Sequence, residues 1–407
     1  MRNSGRVGVV AALIGTLTAF AHFGDVKAAG GPVPGDGGPY RVLAPIESGN
    51  MLLFPVVRAD GKAAGEMPFL TLDEGFKSGE VEVMEAGRAA GLVRSRGNGQ
   101  VNRYRGDEVN TLVLVNRSKR PLLLLAGEIV TGGKQDRIIA KDRIVPPDAD
   151  PIDLSVFCIE PGRWTGSSDS FGTSAGSAAK SFMVQPEVRE RAMVDQDQQQ
   201  VWNSVHGAIA QMEAAAAPPV SGFPAEGFRR GAPLSTTSYA KVMESPAVSE
   251  KVDQAVAQVM SAREQVLAKL REEHAVGVVV AVRGEIVWAD MFADTDLLSR
   301  YWTKLIRSYA AESLTDFGDY AAPTAADAQR FLEAPSTGTE NSTGEVGVYR
   351  YRELKGDGAE TFVLESMLPA TGYDVHISKM KLRGEERSSG GKPHPVNPLP
   401  IFRPEVF

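Results

Sequence analysis

The densest group of chemically useful residues in this 407-residue chain is one short stretch that mixes carboxylates, cations, an amide and two glycines. It runs Ala126-Gly127-Glu128-Ile129-Val130-Thr131-Gly132-Gly133-Lys134-Gln135-Asp136-Arg137. A phosphate-binding P-loop is excluded, because that motif needs Gly-Lys followed by Ser or Thr and then a helix. Here Gln135 follows the lysine, and Ile138-Ile139 continues as a strand.

The glycine pair Gly132-Gly133 predicts a two-residue β-hairpin turn, since glycine adopts positive φ without steric cost. In that register Glu128 faces Arg137 across the hairpin. If this pair lies in a cleft, it can position a planar polar ligand. If it lies on an open edge, it stabilises the hairpin by only about 0.2–1 kcal/mol. Both interpretations stay open.

A second charged group follows the next strand, where the chain reads Glu160-Pro161-Gly162-Arg163-Trp164. In an antiparallel meander the end of the third strand lies near the start of the second. We therefore expect this group to lie beside the two glycines. An arginine next to a tryptophan provides a stacking surface for a flat ligand. Alternatively, the tryptophan closes the end of the core and the arginine caps it.

These residues form the predicted site, for which two roles are assigned. The candidate acid, base or orienting carboxylates are Glu128, Asp136 and Glu160. The candidate ligand-binding residues are Lys134, Gln135, Arg137, Arg163 and Trp164, with Lys134 and Arg137 holding an anionic group. The expected partner is a small anionic or nucleotide-like molecule that is bound or hydrolysed, without a cofactor. The alternative is a non-catalytic envelope interaction or structural protein.

Three other candidate sites are weaker. The histidines show no metal-ligand spacing, so no metal site is predicted. The Gly-x-Ser-x-Gly pattern around Ser174 lies in a serine-rich loop, without the strand and helix of a nucleophile elbow. The only cysteine, Cys158, lies in an apolar run and is predicted to be a buried structural thiol.

Two further features concern charged side chains on regular elements. His376 alternates with apolar neighbours on a strand, which favours a core or surface histidine, with an acid or base role only if its face is directed toward the hairpin. Arg300, Lys304 and Arg307 form a basic helix face that is predicted to be solvated.

The N-terminus predicts export. Arg2 and Arg6 precede an apolar run over residues 7–23, and small residues follow up to Ala28. This pattern is typical of a signal peptide over residues 1–28, so the protein is predicted to be periplasmic or secreted, with no stable membrane anchor after cleavage. An uncleaved anchor is the alternative. The net charge of −7 argues against nucleic acid as a partner.

The pattern of strands and helices predicts an α+β fold, with an antiparallel β-sheet meander packed against three or four helices and flexible insertions. We expect a flexible leader over 29–39, one domain over 40–382 with loop insertions near 215–238 and 317–344, and a proline-rich tail over 383–407. Strands are predicted at 51–57, 111–116, 121–131, 135–145, 152–159, 276–282, 285–292, 345–354, 360–364 and 373–382. Strands 276–282 and 285–292 are predicted to form a hairpin around Arg283-Gly284. Helices are predicted over 186–214, over 246–271 and after a cap at Asp294 or Thr295. Residues 69–94, which include the partly alternating run 81–85, are left as helix or strand.

The charged motifs resemble a protein family. The quoted stretches around Gly127, Gly132-Gly133 and Glu160, the turn Val145-Pro146-Pro147, and Val375-His376-Ile377 are similar to the "ARG and rhodanese-phosphatase-superfamily-associated protein" domain of bacteria. The resemblance covers about residues 40–382. The family's name links it to domains associated with ADP-ribose and phosphate handling, so the resemblance implies nucleotide-like ligands and no particular reaction.

Overall fold

The computed structural model describes residues 40–59, 68–91, 110–163, 168, 170–173, 181–217, 236–314, 321–336, 338–356, 358–369, 371 and 374–382. The predicted signal peptide, leader and proline-rich tail lie outside the described residues. So do Trp164 and Ser174. Over the described part the chain forms eight α-helices and eighteen strands, and antiparallel pairing dominates, which confirms the α+β class.

Nine of the described strands form one large sheet. Its main order is β1 (Tyr40–Val42), β3 (Met51–Arg58), β13 (Ala275–Val282), β14 (Glu285–Phe292), β18 (Asp374–Lys381), β17 (Ala359–Ser366), β16 (Tyr349–Lys355) and β15 (Glu340–Glu345), and β2 (Ile46–Ser48) also pairs with β3. The predicted β13–β14 hairpin is confirmed. It turns at Arg283 and Gly284, which both have positive φ (54° and 76°), as a tight hairpin requires.

Two smaller sheets lie against the large one. The six-stranded sheet has the order β12 (Phe171–Thr173), β8 (Ile129–Gly132), β9 (Arg137–Ile139), β11 (Ile152–Cys158), β6 (Thr111–Asn116) and β5 (Val81–Glu85). The three-stranded sheet has the order β10 (Arg143–Val145), β7 (Leu122–Leu124) and β4 (Leu70–Thr71). Leucine and valine side chains from both sheets share one core.

The helices pack against the three sheets. They are α1 (Leu72–Ser78), α2 (Pro186–Glu190), α3 (Gln198–Ala216), α4 (Tyr239–Glu244), α5 (Pro246–Ser261), α6 (Arg263–Glu272), α7 (Thr295–Ser313) and α8 (Ala325–Glu333). The predicted cap of α7 is confirmed, since the Asp294 side chain accepts a hydrogen bond from the Leu297 N–H. Among the described residues, no helix is both long and apolar enough to cross a membrane.

The hairpin around the two glycines exists, but its predicted register is wrong. Val130 pairs with Arg137, and Ile129 with Ile138, so Glu128 does not face Arg137. The turn is wider than two residues, because its N–H groups bind side chains: Gly132 N donates to Asp136 Oδ1 (3.1 Å). Each predicted long strand is also divided in two, and the halves join different sheets.

The division of these strands coincides with Gly127, which has a φ of +85°. A Cβ at this position would lie 2.5 Å from Cγ of Arg189. The glycine therefore lets the hairpin bend against the Arg189 side chain. This contact explains why a glycine stands directly before Glu128.

Replacing Gly127 by alanine is expected to lower the free energy of unfolding more than Gly79→Ala does, by about 1–3 kcal/mol. Gly79 has a similar φ (+75°), but a Cβ added there would meet no atom of another described residue within 4 Å, its chain neighbours aside. Both variants share the cost of a left-handed alanine, so the difference measures the clash with Arg189. Urea unfolding of the two variants checks this; equal losses would contradict it.

The predicted loop insertion near 317–344 is wrong over its described part, which contains α8 and β15. The Thr324 hydroxyl accepts from Asp327 N and Asp327 accepts from Thr324 N, which completes a capping box at the start of α8. Gln329 on α8 then holds the edge strand β1, donating to Tyr40 O and accepting from Val42 N. Residues 81–85, left open from the sequence, form strand β5.

Candidate functional site

The end of the β8–β9 hairpin brings together most of the predicted site residues. Arg163 Nη2 lies 2.5 Å from Glu160 Oε2 and 3.6 Å from Asp136 Oδ1. Asp136 N donates to Glu160 Oε2 (3.1 Å). The expectation that the end of the third strand lies beside the hairpin turn is therefore confirmed for Glu160 and Arg163.

The turn itself is held by polar contacts around Lys134 and Gln135. Lys134 N donates to Oε1 of Glu85 on β5 (2.7 Å), and its side chain is half-buried. Gln135 Nε2 donates to Glu160 O (3.1 Å). This contact fixes which end of the amide is the oxygen, and Gln135 Oε1 is buried with no hydrogen-bond partner among the described residues.

Two site residues, one at the N-cap of α4 and one on it, were not predicted from the sequence. The Ser238 hydroxyl donates to Asp136 Oδ2 (2.6 Å), and Lys241 Nζ lies 3.6 Å from Glu160 Oε1. Both residues are about a hundred positions away in the chain, so no spacing rule relates them to the hairpin. The Lys241 side chain is 60% exposed, which leaves an ammonium group accessible beside a buried carboxylate.

The environment drives the pKa values of the two carboxylates in opposite directions. Burial raises the pKa of Asp136, and Glu160 adds to that effect, while hydrogen bonds from Ser238 and Gly132 oppose it. Burial also acts to raise the pKa of Glu160, but the hydrogen bonds from Arg163 and from Asp136 N outweigh it and lower that pKa. Glu160 is therefore held as a carboxylate, whereas Asp136 binds a proton more readily than an ordinary aspartate.

Arg137 does not occupy the position that a ligand-binding role needs. Its side chain is fully buried, on the strand register directly opposite Cys158. Burial lowers the pKa of Arg137, while Cys158, Glu85 and Asp136 act to raise it. The predicted role for Arg137 in holding an anionic group is thus corrected: its side chain is buried beneath the site. Burial also raises the pKa of Cys158, as expected for a structural thiol.

Glu128 is also placed away from the hairpin end. It is fully buried, and Lys304 Nζ donates to its Oε1 (2.7 Å), while Leu125 N donates to Oε2 (2.8 Å). Lys304 also donates to Asp73 (2.9 Å). The wide turn and the bend at Gly127 direct the Glu128 side chain into the core. Its predicted catalytic role at the hairpin end is therefore corrected to a core ion pair.

The basic face of α7 is not solvated, which corrects that prediction as well. The side chains of Lys304 and Arg307 are 5% and 4% exposed, and Arg307 pairs with Asp253 on α5. Arg300 donates to Phe69 O and lies 3.2 Å from Glu74. Asp296, one turn away, also pairs with Arg300 (2.9 Å), but the acidic partners of Lys304 and Arg307 come from distant segments.

A second fully buried charge network, here called the core charge chain, links Arg189, Asp290, His376 and Asp142. Arg189 donates through both terminal nitrogens to Asp290 (3.0 and 3.1 Å). His376 Nδ1 lies 2.6 Å from Asp142 and Nε2 lies 3.2 Å from Asp290. Burial acts against a charged imidazole, but the two carboxylates, Asp142 first, raise the pKa of His376 to about 9.

The core charge chain makes His376 a core histidine, which is one of the roles left open by the sequence. Its two carboxylates come from the bend between β9 and β10 and from β14, so it ties the hairpin to the large sheet. Among the described residues, no group of three or more histidine, cysteine, aspartate and glutamate side chains has the geometry to hold a metal ion.

A surface groove of about 560 Å³ lies away from the hairpin end, along the start of α5. Its lining includes three carboxylates, Glu244, Glu250 and Asp253. One of these, Asp253, is neutralised by Arg307. The acidic lining opposes an anionic ligand, so this groove does not fit the ligand class that the sequence predicts.

The sequence of the chain matches the model of one protein family. A model of the ARG and Rhodanese-Phosphatase-superfamily-associated Protein domain matches residues 39–380, which covers the hairpin, the α4 segment and the core charge chain. Neither the search of curated proteins nor the search of solved structures found a match.

Proposed function

The chain belongs to the ARG and Rhodanese-Phosphatase-superfamily-associated Protein domain family, and on that premise we propose that it binds a small anionic or nucleotide-like molecule at the end of the β8–β9 hairpin. Asp136 and Glu160 act there as a proton-transfer group and an orienting carboxylate. The observation that carries the proposal is that one guanidinium, Arg163, joins two carboxylates whose pKa values are shifted in opposite directions. When the pKa values of two neighbouring carboxyl groups are shifted apart, one can act as an acid while the other stays ionised.

The cations around this pair support an anionic ligand. Lys241 is largely exposed, Lys134 is half-buried, and Arg163 is 20% exposed. All three lie on the side of the cluster that reaches the surface, while Arg137 is buried beneath. A phosphate or carboxylate placed against these groups would gain charge-assisted hydrogen bonds, which are each worth about 1.5–3 kcal/mol.

Hydrolysis of the bound molecule is the finer part of the proposal. In that role water forms the new bond to the reacting atom while the bond to the leaving group breaks. Asp136 gives its proton to the leaving group, since its raised pKa allows it to carry a proton closer to neutrality than an ordinary aspartate, and it regains a proton from the added water. Glu160 keeps Arg163 in place and remains ionised. We also propose that the protein acts outside the cytoplasm, because of the N-terminal pattern up to Ala28.

A non-catalytic structural function is the second candidate, and one observation favours it. Asp136 accepts hydrogen bonds at both carboxylate oxygens, from Gly132 and Ser238. Glu160 is likewise engaged by Arg163 and Lys241. In this alternative the cluster only fastens α4 and the end of β11 to the hairpin.

The double substitution Lys134→Ala with Lys241→Ala separates these candidates. Binding of AMP, ribose 5-phosphate and succinate is measured by isothermal titration calorimetry. We expect at least one of them to bind the unmodified protein, and the double variant to bind it at least tenfold more weakly, since losing one charge-assisted contact costs about 1.5 kcal/mol or more.

The matched control replaces Lys77 and Lys119, two exposed lysines elsewhere, by alanine, and is expected to bind normally. Both double variants should unfold at the temperature of the unmodified protein, within a few degrees. If none of the three compounds binds, or if binding survives the loss of Lys134 and Lys241, the ligand site is refuted and the structural alternative is favoured.

A further inference from the structure

The Ser238 hydroxyl has two hydrogen bonds with fixed directions. It accepts from Lys241 N (3.2 Å), as the N-cap of α4, and it lies 2.6 Å from Asp136 Oδ2. Ser238 is fully buried. Because Lys241 N–H can only donate, the single hydroxyl proton of the serine is available for Asp136. The serine therefore stabilises the ionised form of that carboxylate.

The Ser238 oxygen can also form a hydrogen bond with the protonated form of Asp136 without changing its position. When Oδ2 carries a proton, it can donate to the second lone pair of Ser238 Oγ, in place of the bond that the serine donates to the carboxylate. No other residue type that caps helices well, apart from threonine, has one oxygen that both donates and accepts. The contact is thus suited to a carboxylate that changes its protonation state.

From this geometry we infer that Ser238 is the positioning residue that holds Asp136 for proton transfer and sets how tightly it binds its proton. This role rests on the proposed function, because it matters for chemistry only if Asp136 acts as the acid. The element that carries it, α4, is remote in sequence from the hairpin and is fastened there by Thr237 Oγ1, which donates to Pro161 O (2.6 Å), and by the buried Tyr239.

The other charged groups that face Asp136 come from three elements. Glu160 and Arg163 lie at the end of β11, Arg137 lies on β9, and Lys241 lies on α4 beyond Glu160. None of these is changed by a substitution at Ser238. A change in the proton affinity of Asp136 after that substitution therefore reports the lost hydroxyl.

The test is a pH titration of the Asp136 side chain by ¹³C NMR, on protein labelled at the aspartate carboxyl carbons. Asp136→Asn identifies the resonance. In Ser238→Ala and Ser238→Gly we expect Asp136 to bind its proton about tenfold more tightly or more, since a hydrogen bond to a charged group is worth about 1.5–3 kcal/mol. Glycine is nearly as good an N-cap as serine, so the second variant keeps the start of α4 intact.

A purely structural role for Ser238 would leave the Asp136 titration in place, and an unchanged midpoint in both variants would overturn the inference. Unfolding measurements give a second readout. When a substitution raises the folded-state pKa of a carboxyl, the protein loses stability as the pH rises above the unfolded-state pKa of that group. Ser238→Gly should therefore destabilise the protein more at pH 7 than at pH 4. In an Asp136→Asn background that pH dependence should vanish; if it persists, Ser238 does not act through Asp136.

Neither measurement uses a ligand, so its failure is distinguishable from the failure of the proposed function. If the titration behaves as expected but AMP, ribose 5-phosphate and succinate do not bind, the coupling of Ser238 to Asp136 stands and the ligand assignment falls. If ligand binding is found but the titration is unchanged, only the role of Ser238 is refuted.

Discussion

Replacing Asp290 by asparagine is expected to lower the free energy of unfolding by about 3–5 kcal/mol, which is the usual cost of breaking a buried charge pair. Asp290 accepts hydrogen bonds from Arg189, Tyr309 and Ser378, and His376 Nε2 lies 3.2 Å away. Every one of these groups donates. The asparagine NH₂ would therefore face donors on at least one side, and the positive charges of Arg189 and His376 would lose their shared counter-charge.

The control for this prediction is Asp148→Asn, which removes an exposed ion pair with Lys119. Exposed pairs contribute about 0–1 kcal/mol, so this variant should unfold almost like the unmodified protein. Chemical denaturation at pH 7 compares the two. A loss below 1 kcal/mol for the Asp290 variant would contradict the view that the core charge chain holds the hairpin to the large sheet.

Stability is expected to pass through a minimum between about pH 8 and pH 9, because two buried groups titrate there with opposite signs. The pKa of His376 is raised to about 9, so its contribution is present below its unfolded pKa and is lost as pH rises through 9. Burial lowers the pKa of Lys379 to about 8, so its burial costs stability at neutral pH, and that cost disappears at higher pH.

Each of these contributions amounts to about 3 kcal/mol at full extent, but they overlap, so the dip in the unmodified protein is only about 1–2 kcal/mol. Lys379→Met should abolish the recovery and leave only the loss from His376, between about pH 6.5 and pH 9. Lys379 lies on β18 against α8, where it donates to Ala334 O (2.5 Å), so this change leaves the His376 contacts in place.

In His376→Phe the loss between pH 6 and pH 9 should be absent. Urea unfolding of the three proteins at half-unit steps from pH 6 to pH 10 measures these curves. If the Lys379 variant shows no loss of stability from pH 6 to pH 10, His376 is not charged in the folded protein. The core charge chain would then contain a neutral histidine.

Local rules predicted the parts of the fold that depend on neighbouring residues. The β13–β14 hairpin followed from Arg283-Gly284, and the start of α7 followed from Asp294, because turns and caps are decided within a few positions. The strands β3, β6 and β11 followed from their apolar runs. The α8 helix was missed although Thr324 and Asp327 form a capping box, since the surrounding residues resemble a loop in composition.

The register of the β8–β9 hairpin could not be obtained from the two glycines alone. Gly132 and Gly133 both adopt positive φ, as expected, but the turn is widened by side chains that bind its N–H groups. One of those, Glu85, comes from a strand almost fifty residues earlier. The observed pairing of β8 with β9 differs from the predicted pairing by two residues. A shift of two keeps each side chain on the same face of the sheet, so the gathering of Asp136, Glu160 and Arg163 was still predicted correctly.

The buried ion pairs lay beyond sequence reasoning for the same reason. Lys304 and Glu128 are 176 positions apart, and His376 and Asp142 are 234 apart. A charged residue on a helix or strand is usually solvated, and only the tertiary fold shows that α7 is covered on all sides. The charged stretch from Gly127 to Arg137 thus combines two structural roles. Its first half, with Gly127 and Glu128, lies in the core, and its second half forms the hairpin end.

Chemical-shift mapping tests the ligand site at the hairpin end most directly. The probe is whichever of AMP, ribose 5-phosphate and succinate binds most tightly, added to ¹⁵N-labelled protein. We predict that the amide signals of Gly133, Lys134, Glu160 and Lys241 change, and that those of the α5 groove do not. Changes confined to the α5 groove, or no changes at the hairpin end at saturation, would contradict the proposal that Asp136 and Glu160 form a ligand-binding site.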